Sequence, residues 1–384
     1  MKVYLDNAAT TQIDPVVLEE MMPYLTEFYG NPSSIHSYGR KAKSAIEKAR
    51  KVVAKYLNAS SSEVFFTGCG TEASNMIIKG AVRDLGVQRI ISSAIEHHCV
   101  LHSVEAVERG GVQVDFVKLD SEGHVDYAHL EELLKSSSLK TMVSLMHANN
   151  EIGTLLNLER VSELCQKYEA LFHSDTVQSI GYFPIDVQKV KIHFLSGSAH
   201  KFHGPKGVGF VYINGEAPVK PLLDGGSQER NMRAGTENVF SIVGLGKALE
   251  LAIEKMEENR AYISELKSYM AAELKAHIPG LEFNGDKTDV GSNYKVLSVS
   301  MPPNEKAELT LFNLDIAGIA ASGGSACTSG SEKGSHVLEG IKADTNRKAV
   351  RFSFSKYNTK EEIDYAVATL AKIFAGSAEK VGTV

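Results

Sequence analysis

Two polar residues that end apolar runs carry the clearest chemical signal in this chain. Lys201 ends the stretch 196–201, in which small residues follow an apolar run. A lysine held in such a partly desolvated place has a lowered pKa and suits Schiff-base chemistry. Asp175 closes the run 171–175, where a carboxylate is costly unless it is paired or caps a turn. On neighbouring strand ends these side chains suit pyridoxal phosphate, because a carboxylate keeps its pyridinium nitrogen protonated.

Residues 68–71 offer a place for the phosphate of such a cofactor. Their sequence, Gly-Cys-Gly-Thr, leads from a predicted strand into a predicted helix. Backbone N–H groups at the helix start and the hydroxyl of Thr71 can therefore meet an anion. Ser198 and His200, beside the candidate lysine, add further donors. His97 follows another apolar run, where an imidazole either stacks on a pyridine ring or caps a helix.

The four cysteines fall into two kinds. Cys69, Cys99 and Cys165 lie in or beside apolar elements, so we expect them to be buried and inert. Cys327 lies instead in a stretch of small polar residues, 322–331, which predicts an exposed loop. An exposed thiol in a reducing compartment is typical of a nucleophile.

Arg351 lies in the strand-like run 350–354. The period of two places its side chain opposite the apolar face of the predicted strand. Two interpretations are open: a solvated strand residue, or a bidentate clamp for the carboxylate of an amino-acid substrate.

Length and composition exclude several classes of protein. A chain of 384 residues suggests two domains, and a net charge of 41 − 47 = −6 argues against a nucleic-acid-coating surface. Four scattered cysteines do not form a disulfide framework, and no apolar run suits a signal or a membrane span, which predicts a cytoplasmic protein. No carboxylate or cysteine completes a ligand set at the usual spacing, so no intrinsic metal site is expected from the histidines His97, His98, His200 and His203.

Short apolar runs alternate with segments of helical period from about residue 16 to residue 212. Residues 17, 21 and 25 repeat at helical spacing, as do residues 42, 46, 49 and 53. Strand, helix and strand repeated in this way predict crossover connections and a mostly parallel sheet, with ligands beyond the carboxyl ends of its strands. A helical pattern over 241–276 then leads to a smaller α+β part, with strands predicted at 296–299, 316–320 and 350–354 and helices at 307–314 and 361–374.

Together these residues resemble the pyridoxal-phosphate-dependent cysteine desulfurases of the NifS/IscS type, within the class V aminotransferase-like group. The resemblance runs nearly end to end and includes residues 4–11, 30–34, 147–153, 198–201, 233–236 and 325–329. It implies an α/β chain with the transferase fold of pyridoxal-phosphate enzymes, aspartate aminotransferase type I. A large cofactor-binding domain, residues 15–255, would contain a mostly parallel seven-stranded sheet. A smaller α+β domain, residues 1–14 and 256–384, would carry the Cys327 loop.

The resemblance also implies a role for each candidate residue. Lys201 would form the Schiff base, Asp175 would pair with the pyridinium nitrogen, and Cys327 would attack the substrate sulfur. His97 would stack on the cofactor ring and shuttle a proton. Gln178 would donate to the phenolic oxygen of the cofactor. Asn150 and Arg351 would bind the substrate carboxylate, and Asn150 would also touch the cofactor. The phosphate would be bound by Gly70, Thr71, Ser198 and His200 and, across a subunit interface, by Thr236.

The implied reaction converts L-cysteine to L-alanine and leaves the sulfur as a persulfide on Cys327. The sulfur would pass to an acceptor such as an iron–sulfur scaffold, whose cluster Cys327 could touch transiently, and the chain would form a homodimer. Two alternatives stay open: a related class V enzyme, such as a selenocysteine lyase or an aminotransferase, and a catalytically silent scaffold for iron–sulfur assembly. Cys327 argues against the first, and the intact set of Lys201, Asp175 and Cys327 argues against the second.

Overall fold

The computed structural model describes residues 1–288, 290–303, 307–324 and 334–374. Its strands Leu171–Asp175, Val296–Ser300 and Ala349–Ser353 overlap apolar runs that predict strands, whereas Val3–Tyr4, Gly209–Ile213 and Glu282–Asn284 were not predicted. In chain order the strands are β1 Val3–Tyr4, β2 Val64–Thr67, β3 Arg89–Ser92, β4 Gln113–Phe116, β5 Thr141–Ser144, β6 Leu171–Asp175, β7 Phe194–Ser198, β8 Gly209–Ile213, β9 Glu282–Asn284, β10 Val296–Ser300, β11 Ile319–Ala320 and β12 Ala349–Ser353.

The helices surround these strands, and several begin at side chains that cap their first N–H groups. Asp14 caps the first helix and Pro15 follows it, the arrangement that favours a helix start. In chain order the helices are α1 Pro15–Thr26, α2 Ser37–Leu57, α3 Gly70–Leu85, α4 His98–Glu108, α5 Tyr127–Lys135, α6 Leu158–Lys167, α7 Gln228–Asn231, α8 Val239–Glu254, α9 Met256–His277, α10 Thr310–Ile316, α11 His336–Gly340 and α12 Lys360–Phe374.

A seven-stranded sheet forms the centre of the fold, in the order β2-β8-β7-β6-β5-β3-β4. Strand β8 is antiparallel to both of its neighbours, and the other pairs are parallel. Every residue of β2, β3, β5, β7 and β8 is buried, because helices cover both faces of the sheet. The prediction of a mostly parallel seven-stranded sheet is therefore confirmed.

Two smaller sheets lie outside this one. Strand β10 pairs antiparallel with β9 and with β12, and β1 pairs parallel with β11. The first residues of the chain are thereby joined to residues near position 320. The predicted boundary between two domains, at residues 14/15 and 255/256, stays a prediction.

The structure differs from the predicted elements at two places. The helical pattern over 241–276 is two helices, because Lys255 has the non-helical dihedral angles φ −112° and ψ 16° and separates α8 from α9. No glycine or proline marks this break, so periodicity alone does not reveal it. The run 316–320 is also divided, since Ile316 ends α10 and only Ile319 and Ala320 form a strand.

Among the described residues, none of the helices combines the length and the apolar composition needed to cross a membrane.

Candidate active site

Asp175 and Lys201 lie at the carboxyl ends of neighbouring parallel strands. Asp175 ends β6 and pairs in register with Ser196 of β7. A 3-10 turn, Ala199–Lys201, follows β7 and carries the lysine over the sheet edge. Because the two strands are parallel, their carboxyl ends open on the same side of the sheet. Both side chains therefore line one cavity of about 230 Å³.

Most of the predicted site residues meet in this cavity. Those that line it are Gly70, Thr71, His97, Asn150, Asp175, Gln178, Ser198, His200, Lys201 and Arg351. They come from six separate parts of the chain, mostly just after strands of the central sheet. Thr236 is exposed and does not line the cavity of its own chain. Cys327 lies outside the described residues.

The N-terminal segment holds the amino group of Lys201. Its Nζ atom donates hydrogen bonds to the carbonyl oxygens of Ala8 and Ala9 at 2.7 and 2.8 Å. The hydroxyl of Tyr182 donates to the carbonyl oxygen of Lys201 at 2.8 Å, and this hydrogen bond fixes the backbone of the turn. A ligand that reacts with this amine therefore replaces contacts that the backbone of Ala8 and Ala9 now provides.

The carboxylate of Asp175 is buried, and only one of its two oxygens accepts close hydrogen bonds from the protein. One oxygen, Oδ1, accepts hydrogen bonds from the backbone N–H of Val177 at 2.9 Å and from the hydroxyl of Ser196 at 3.4 Å. The other oxygen, Oδ2, lies 4.0 Å from the sulfur of Cys99. A buried carboxylate with one oxygen so loosely engaged suits a cationic ring nitrogen as partner.

The start of helix α3 forms another part of the cavity wall. Gly70 is its first residue, and Cys69 before it makes no side-chain cap hydrogen bond. A Cβ atom at Gly70 would lie 2.7 Å from Cγ2 of Val177, so only glycine lets the helix start come this close to the strand end. The N–H groups and the positive end of the helix dipole favour an anion here, beside the hydroxyl of Thr71.

His200 adds a neutral imidazole to the wall of the cavity. Burial, followed by the charge of Lys201, lowers the pKa of His200 to about 3. Its Nδ1 atom lies 3.2 Å from the hydroxyl oxygen of Thr10. A neutral ring offers one N–H donor without needing a counter-ion.

His97 caps helix α4 and brings Cys99 into the site. Its Nδ1 atom accepts the backbone N–H of Cys99 at 3.2 Å, and the sulfur of Cys99 lies 3.0 Å from the same atom. Burial lowers the pKa of His97, although the charge of Asp175 opposes this effect. Cys69 and Cys99 line the cavity and are only partly buried, so the expectation that they are buried is wrong for these two and confirmed for Cys165. The signal for Cys99 was its position two residues after a capping histidine.

Arg351 is 2% exposed, so the interpretation as a solvated strand residue is wrong. The loop at Asn150 and the N-terminal segment cover one face of β12. The alternation of side chains along the predicted strand had assigned this face to solvent. Its Nη1 atom donates to the carbonyl oxygen of Asn150 at 2.9 Å, and Nη2 donates to Oδ1 of Asp6 at 2.7 Å. Its Nε atom is buried and has no partner among the described residues. The guanidinium thus keeps a donor for a carboxylate ligand.

Gln178 is a second buried residue with an unused polar atom. Its Nε2 atom donates to the carbonyl oxygen of Ala8 at 2.9 Å, while Oε1 has no partner within the described part of the chain. Unpaired buried polar atoms are costly, and two of them at one cavity indicate a polar ligand.

These residues fit pyridoxal phosphate. Lys201 supplies the amine, Asp175 supplies a partner for a ring nitrogen, and the start of α3 supplies an anion site. Gln178 and Arg351, each of which has an unpaired buried polar atom, line the same cavity. The individual roles of these residues stay predictions.

Comparison with known proteins agrees with this geometry. A family model described as Aminotransferase class-V matches residues 3–366. The protein called cysteine desulfurase IscS in Dictyoglomus turgidum is 41% identical, over 100% of this chain and 96% of that protein. The one of the same name in Clostridium botulinum (strain Hall) is 42% identical, over 97% of this chain and 94% of that protein.

A solved structure of a NifS-like protein has the same fold. It superposes with a TM-score of 0.90 at 39% sequence identity and covers 98% of this chain and 100% of its own. Family match, relatives and fold agree over nearly the whole length, and the chain belongs to the class V aminotransferase family, whose members use pyridoxal phosphate.

Proposed function

We propose that this chain is a pyridoxal-phosphate-dependent cysteine desulfurase that converts L-cysteine to L-alanine and keeps the sulfur as a persulfide on Cys327. The observation that carries the proposal is the single cavity that joins Lys201, Asp175 and Arg351. In this one cavity the amine can bond to a carbonyl cofactor and the carboxylate can pair with the ring nitrogen of that cofactor. The guanidinium can bind the carboxylate of an amino acid.

The substrate carboxylate binds at Arg351. The Nε atom of this guanidinium has no partner among the described residues, and its other nitrogens are held by Asp6 and by the carbonyl oxygen of Asn150. These two contacts fix the plane of the guanidinium, so little side-chain entropy is lost when a carboxylate binds. The amino group of the substrate is then directed to the cofactor at Lys201.

Lys201 moves the proton at the substrate Cα atom. When bound, pyridoxal phosphate supplies an electron sink for the pair released at Cα. Once the substrate amine has replaced the Lys201 amine on the cofactor, the free Lys201 amine takes that proton. The carbonyl oxygens of Ala8 and Ala9 hold this amine at the cavity. Asp175 keeps the ring nitrogen protonated, which sustains the sink.

Cys327 receives the sulfur. Its thiolate attacks the substrate sulfur, an S–S bond forms, and the Cβ–S bond breaks with its electron pair left on Cβ, which takes up a proton to give alanine. Ser322 supports this assignment, because it shares backbone hydrogen bonds with Arg351 shortly before Cys327 in the chain. On the far side, the hydroxyl of Ser335 donates to the carboxylate of Glu151, next to Asn150. The described residues on both sides of the Cys327 segment thus contact Arg351, which lines the cavity, and Glu151, which follows the cavity residue Asn150.

The persulfide then passes to an acceptor protein, and an iron–sulfur scaffold is the acceptor that we propose. Transfer requires a free thiol on Cys327 at the start of each cycle. We therefore place the enzyme in the cytoplasm, where thiols are kept reduced. Within the described residues, Cys69, Cys99 and Cys165 are likewise free thiols.

We further propose a homodimer in which Thr236 contacts the phosphate in the cavity of the partner subunit. Thr236 is exposed and lies outside the cavity of its own chain. Single protomers seldom expose several large apolar side chains together, and a second copy would cover those exposed along α1, the segment after it and the start of α2: Leu18, Met22, Leu25, Tyr29, Ile35 and Tyr38. Light scattering of the purified protein and of Ile35→Glu tests this proposal; a monomeric wild type contradicts it.

The reaction is tested by measuring alanine, sulfide and protein-bound persulfide from L-cysteine. Wild-type protein should form alanine and persulfide in equal amounts before a thiol is added. Lys201→Ala should lose the visible absorbance of the lysine-bound cofactor. Cys327→Ser should keep this absorbance and bind cysteine but form no persulfide. Cys165→Ala, which removes a buried thiol away from the cavity, is the matched control and should behave as wild type.

Four results contradict the proposal. Full sulfide release by Cys327→Ser without added thiol removes the nucleophile, and a visible cofactor band in Lys201→Ala removes the cofactor lysine. Alanine formed only when pyruvate is added as the amino-group acceptor, and without sulfide, indicates an aminotransferase instead. A colourless purified protein that stays colourless with added pyridoxal phosphate indicates a silent scaffold.

A further inference from the structure

Three consecutive residues of α7 have left-handed backbone angles. Glu229, Arg230 and Asn231 have φ values of 44°, 58° and 68°, and they are called the left-handed turn below. None of them is glycine, and residues with a Cβ atom adopt these angles at a cost in free energy, normally one residue at a time. A run of three persists because surrounding contacts hold it, and such strain is commonly found near functional sites.

A buried ion pair between Glu229 and Arg50 of α2 holds the turn. Both side chains are 2% exposed. Nη1 of Arg50 donates to Oε2 of Glu229 at 2.7 Å, and Nη2 donates to Oε1 at 2.9 Å. A bidentate pair of this kind fixes the direction of both side chains. Since loss of either partner would leave a buried charge without its counter-ion, the pair ties the turn firmly to α2.

The same pair covers the free edge of strand β2, the outermost strand of the seven-stranded sheet. Nη1 of Arg50 donates to the carbonyl oxygen of Val64 at 2.7 Å. The backbone N–H of Phe66 donates to Oε2 of Glu229 at 2.7 Å. The ion pair thus takes up backbone groups that an additional strand would otherwise use. The left-handed turn is therefore fixed relative to the central sheet as well as to α2.

Two further contacts connect the turn to the residues just before Thr236. Oε1 of Gln228 accepts a hydrogen bond from the backbone N–H of Gly235 at 3.1 Å. Nε of Arg233 donates to Oε1 of Glu72, in the first turn of α3, at 2.9 Å. Thr236 follows Gly235 directly and is exposed. Its place on the surface is therefore set by the left-handed turn and by the start of α3.

We propose that Glu229, through its pair with Arg50, is a positioning residue for Thr236. The inference rests on the proposed homodimer, in which Thr236 contacts the phosphate in the cavity of the partner subunit. A threonine on a loosely held loop would lose conformational entropy when it binds a phosphate. The held turn removes most of that loss, so Thr236 contributes to cofactor binding as long as the turn stays left-handed.

Release of pyridoxal phosphate from the cofactor-loaded full-length protein tests this inference. The rate is read from the loss of visible absorbance in an excess of a cofactor analogue without the aldehyde, and light scattering gives the oligomeric state. Glu229→Gln keeps the size of the side chain and removes its charge. It should stay dimeric and release the cofactor about tenfold faster, the effect of one hydrogen bond to a charged group. Among the described residues that line the cavity, neither Glu229 nor Arg50 is present, so this effect is indirect.

Thr236→Ala should accelerate release by about the same factor. Glu229→Gln combined with Thr236→Ala should then release the cofactor no faster than either single variant. The effects of two residues that act through one contact are not additive, whereas those of independent residues are.

Asn231→Val tests the turn without touching the ion pair. Asn231 is exposed, so this variant keeps the core intact even where Glu229→Gln fails to fold. A β-branched side chain strongly disfavours left-handed angles, and release should be several times faster than in wild type. Asn231→Gly accepts these angles and should release at the wild-type rate. Asn58→Val, at an exposed residue with φ 54° that ends α2, is the matched control and should also keep the wild-type rate.

The results that overturn the inference separate it from the proposed function. A dimeric Glu229→Gln or Asn231→Val that keeps the wild-type rate shows that the ion pair serves stability alone, and the homodimer stands. Additive effects of Glu229→Gln and Thr236→Ala, or equally fast release in Asn58→Val, lead to the same conclusion. A monomeric wild type, or Thr236→Ala with the wild-type rate, overturns the proposed subunit contact together with the inference.

Discussion

The sulfur of Cys99 lies 3.0 Å from Nδ1 of His97, and the backbone N–H of Cys99 donates to the same nitrogen at 3.2 Å. Because Nδ1 accepts the N–H, the proton of the neutral ring resides on Nε2. Burial, followed by the charge of Asp175, raises the pKa of the Cys99 thiol. Cys99 is therefore a neutral thiol that positions His97 and is not a second nucleophile.

Substitution of Cys99 should show whether its sulfur positions His97. We expect Cys99→Ala to lower kcat/KM about three- to tenfold, since one hydrogen bond contributes about 0.5–1.5 kcal/mol. Cys99→Ser keeps a polar hydrogen and should stay within about twofold of wild type. Nitrogen chemical shifts of His97 should report a proton on Nε2 in all three proteins. An unchanged rate in Cys99→Ala would show that the sulfur positions nothing.

Loss of Arg351 should weaken substrate binding more than turnover. A hydrogen bond to a charged group contributes about 1.5–3 kcal/mol, so Arg351→Ala should raise KM for cysteine about ten- to a hundredfold. Asp6→Asn keeps the guanidinium but loosens its Nη2 contact and should raise KM by a smaller factor. Steady-state kinetics of both variants checks this order, and an unchanged KM in Arg351→Ala rules out the clamp.

Glu96 should make the folded state less stable at higher pH. Burial raises its pKa from the ordinary 4.5 to about 8, and the charge of Asp175 adds to the effect. The folded state therefore binds more protons than the unfolded state between these values, and the free energy of unfolding falls as pH rises through that window. The loss is at most about 5 kcal/mol, since each pKa unit corresponds to about 1.4 kcal/mol.

Urea unfolding at pH 5 and pH 8 tests the role of Glu96. Glu96→Gln removes the titration, so its free energy of unfolding should change less between the two pH values than that of wild type. Glu105→Gln, on the exposed part of α4, is the control and should keep the wild-type difference. An identical pH dependence in Glu96→Gln would show that Glu96 is ionised in the folded protein throughout this range.

Lys295 should destabilise the fold through its buried amine. It is 0% exposed, and its Nζ atom lies 3.8 Å from the ring centroid of Tyr182 and 3.5 Å from the carbonyl oxygen of Lys201. Burial lowers its pKa well below the ordinary value, and the charges of Lys201 and Arg351 lower it further. The unfolded state therefore binds more protons, and the free energy of unfolding should rise with pH up to about 10.5.

Two substitutions at Lys295 test this. Lys295→Met fills a similar space without the amine and should stabilise the protein by about 1–3 kcal/mol at pH 7. Lys295→Ala leaves a cavity and should destabilise it by about 2–4 kcal/mol. Urea unfolding at pH 7 and pH 9 measures both effects. Strong destabilisation by Lys295→Met would show that the hydrogen bond to Lys201 outweighs the cost of burying the amine.

Much of the cavity was predictable because the end of each strand can be recognised from neighbouring residues in the sequence. Lys201 and Asp175 each end an apolar run, and parallel strands put such ends on one edge of the sheet. Gly70 and Thr71 followed from the same rule, since a helix start after a strand also opens on that edge. The role of Cys327 was inferred from its stretch of small polar residues as well as from the resemblance, and that of Thr236 from the resemblance alone; both stay predictions.

Contacts between distant segments were not predictable in this way. The burial of Arg351 depends on Asp6 and Asn150, which are remote from it in the chain. The amine of Lys295 and the carboxylate of Glu229 likewise have surface-like sequence contexts, and only packing makes both of them buried.

The sequence by itself therefore determined the fold class and the residue types of the chemistry, because periodicity and strand ends are properties of neighbouring residues. Only the tertiary structure decided which polar atoms are buried, which are left unpaired and which buried charges meet. Those properties depend on desolvation and on distances between atoms from segments far apart in the chain.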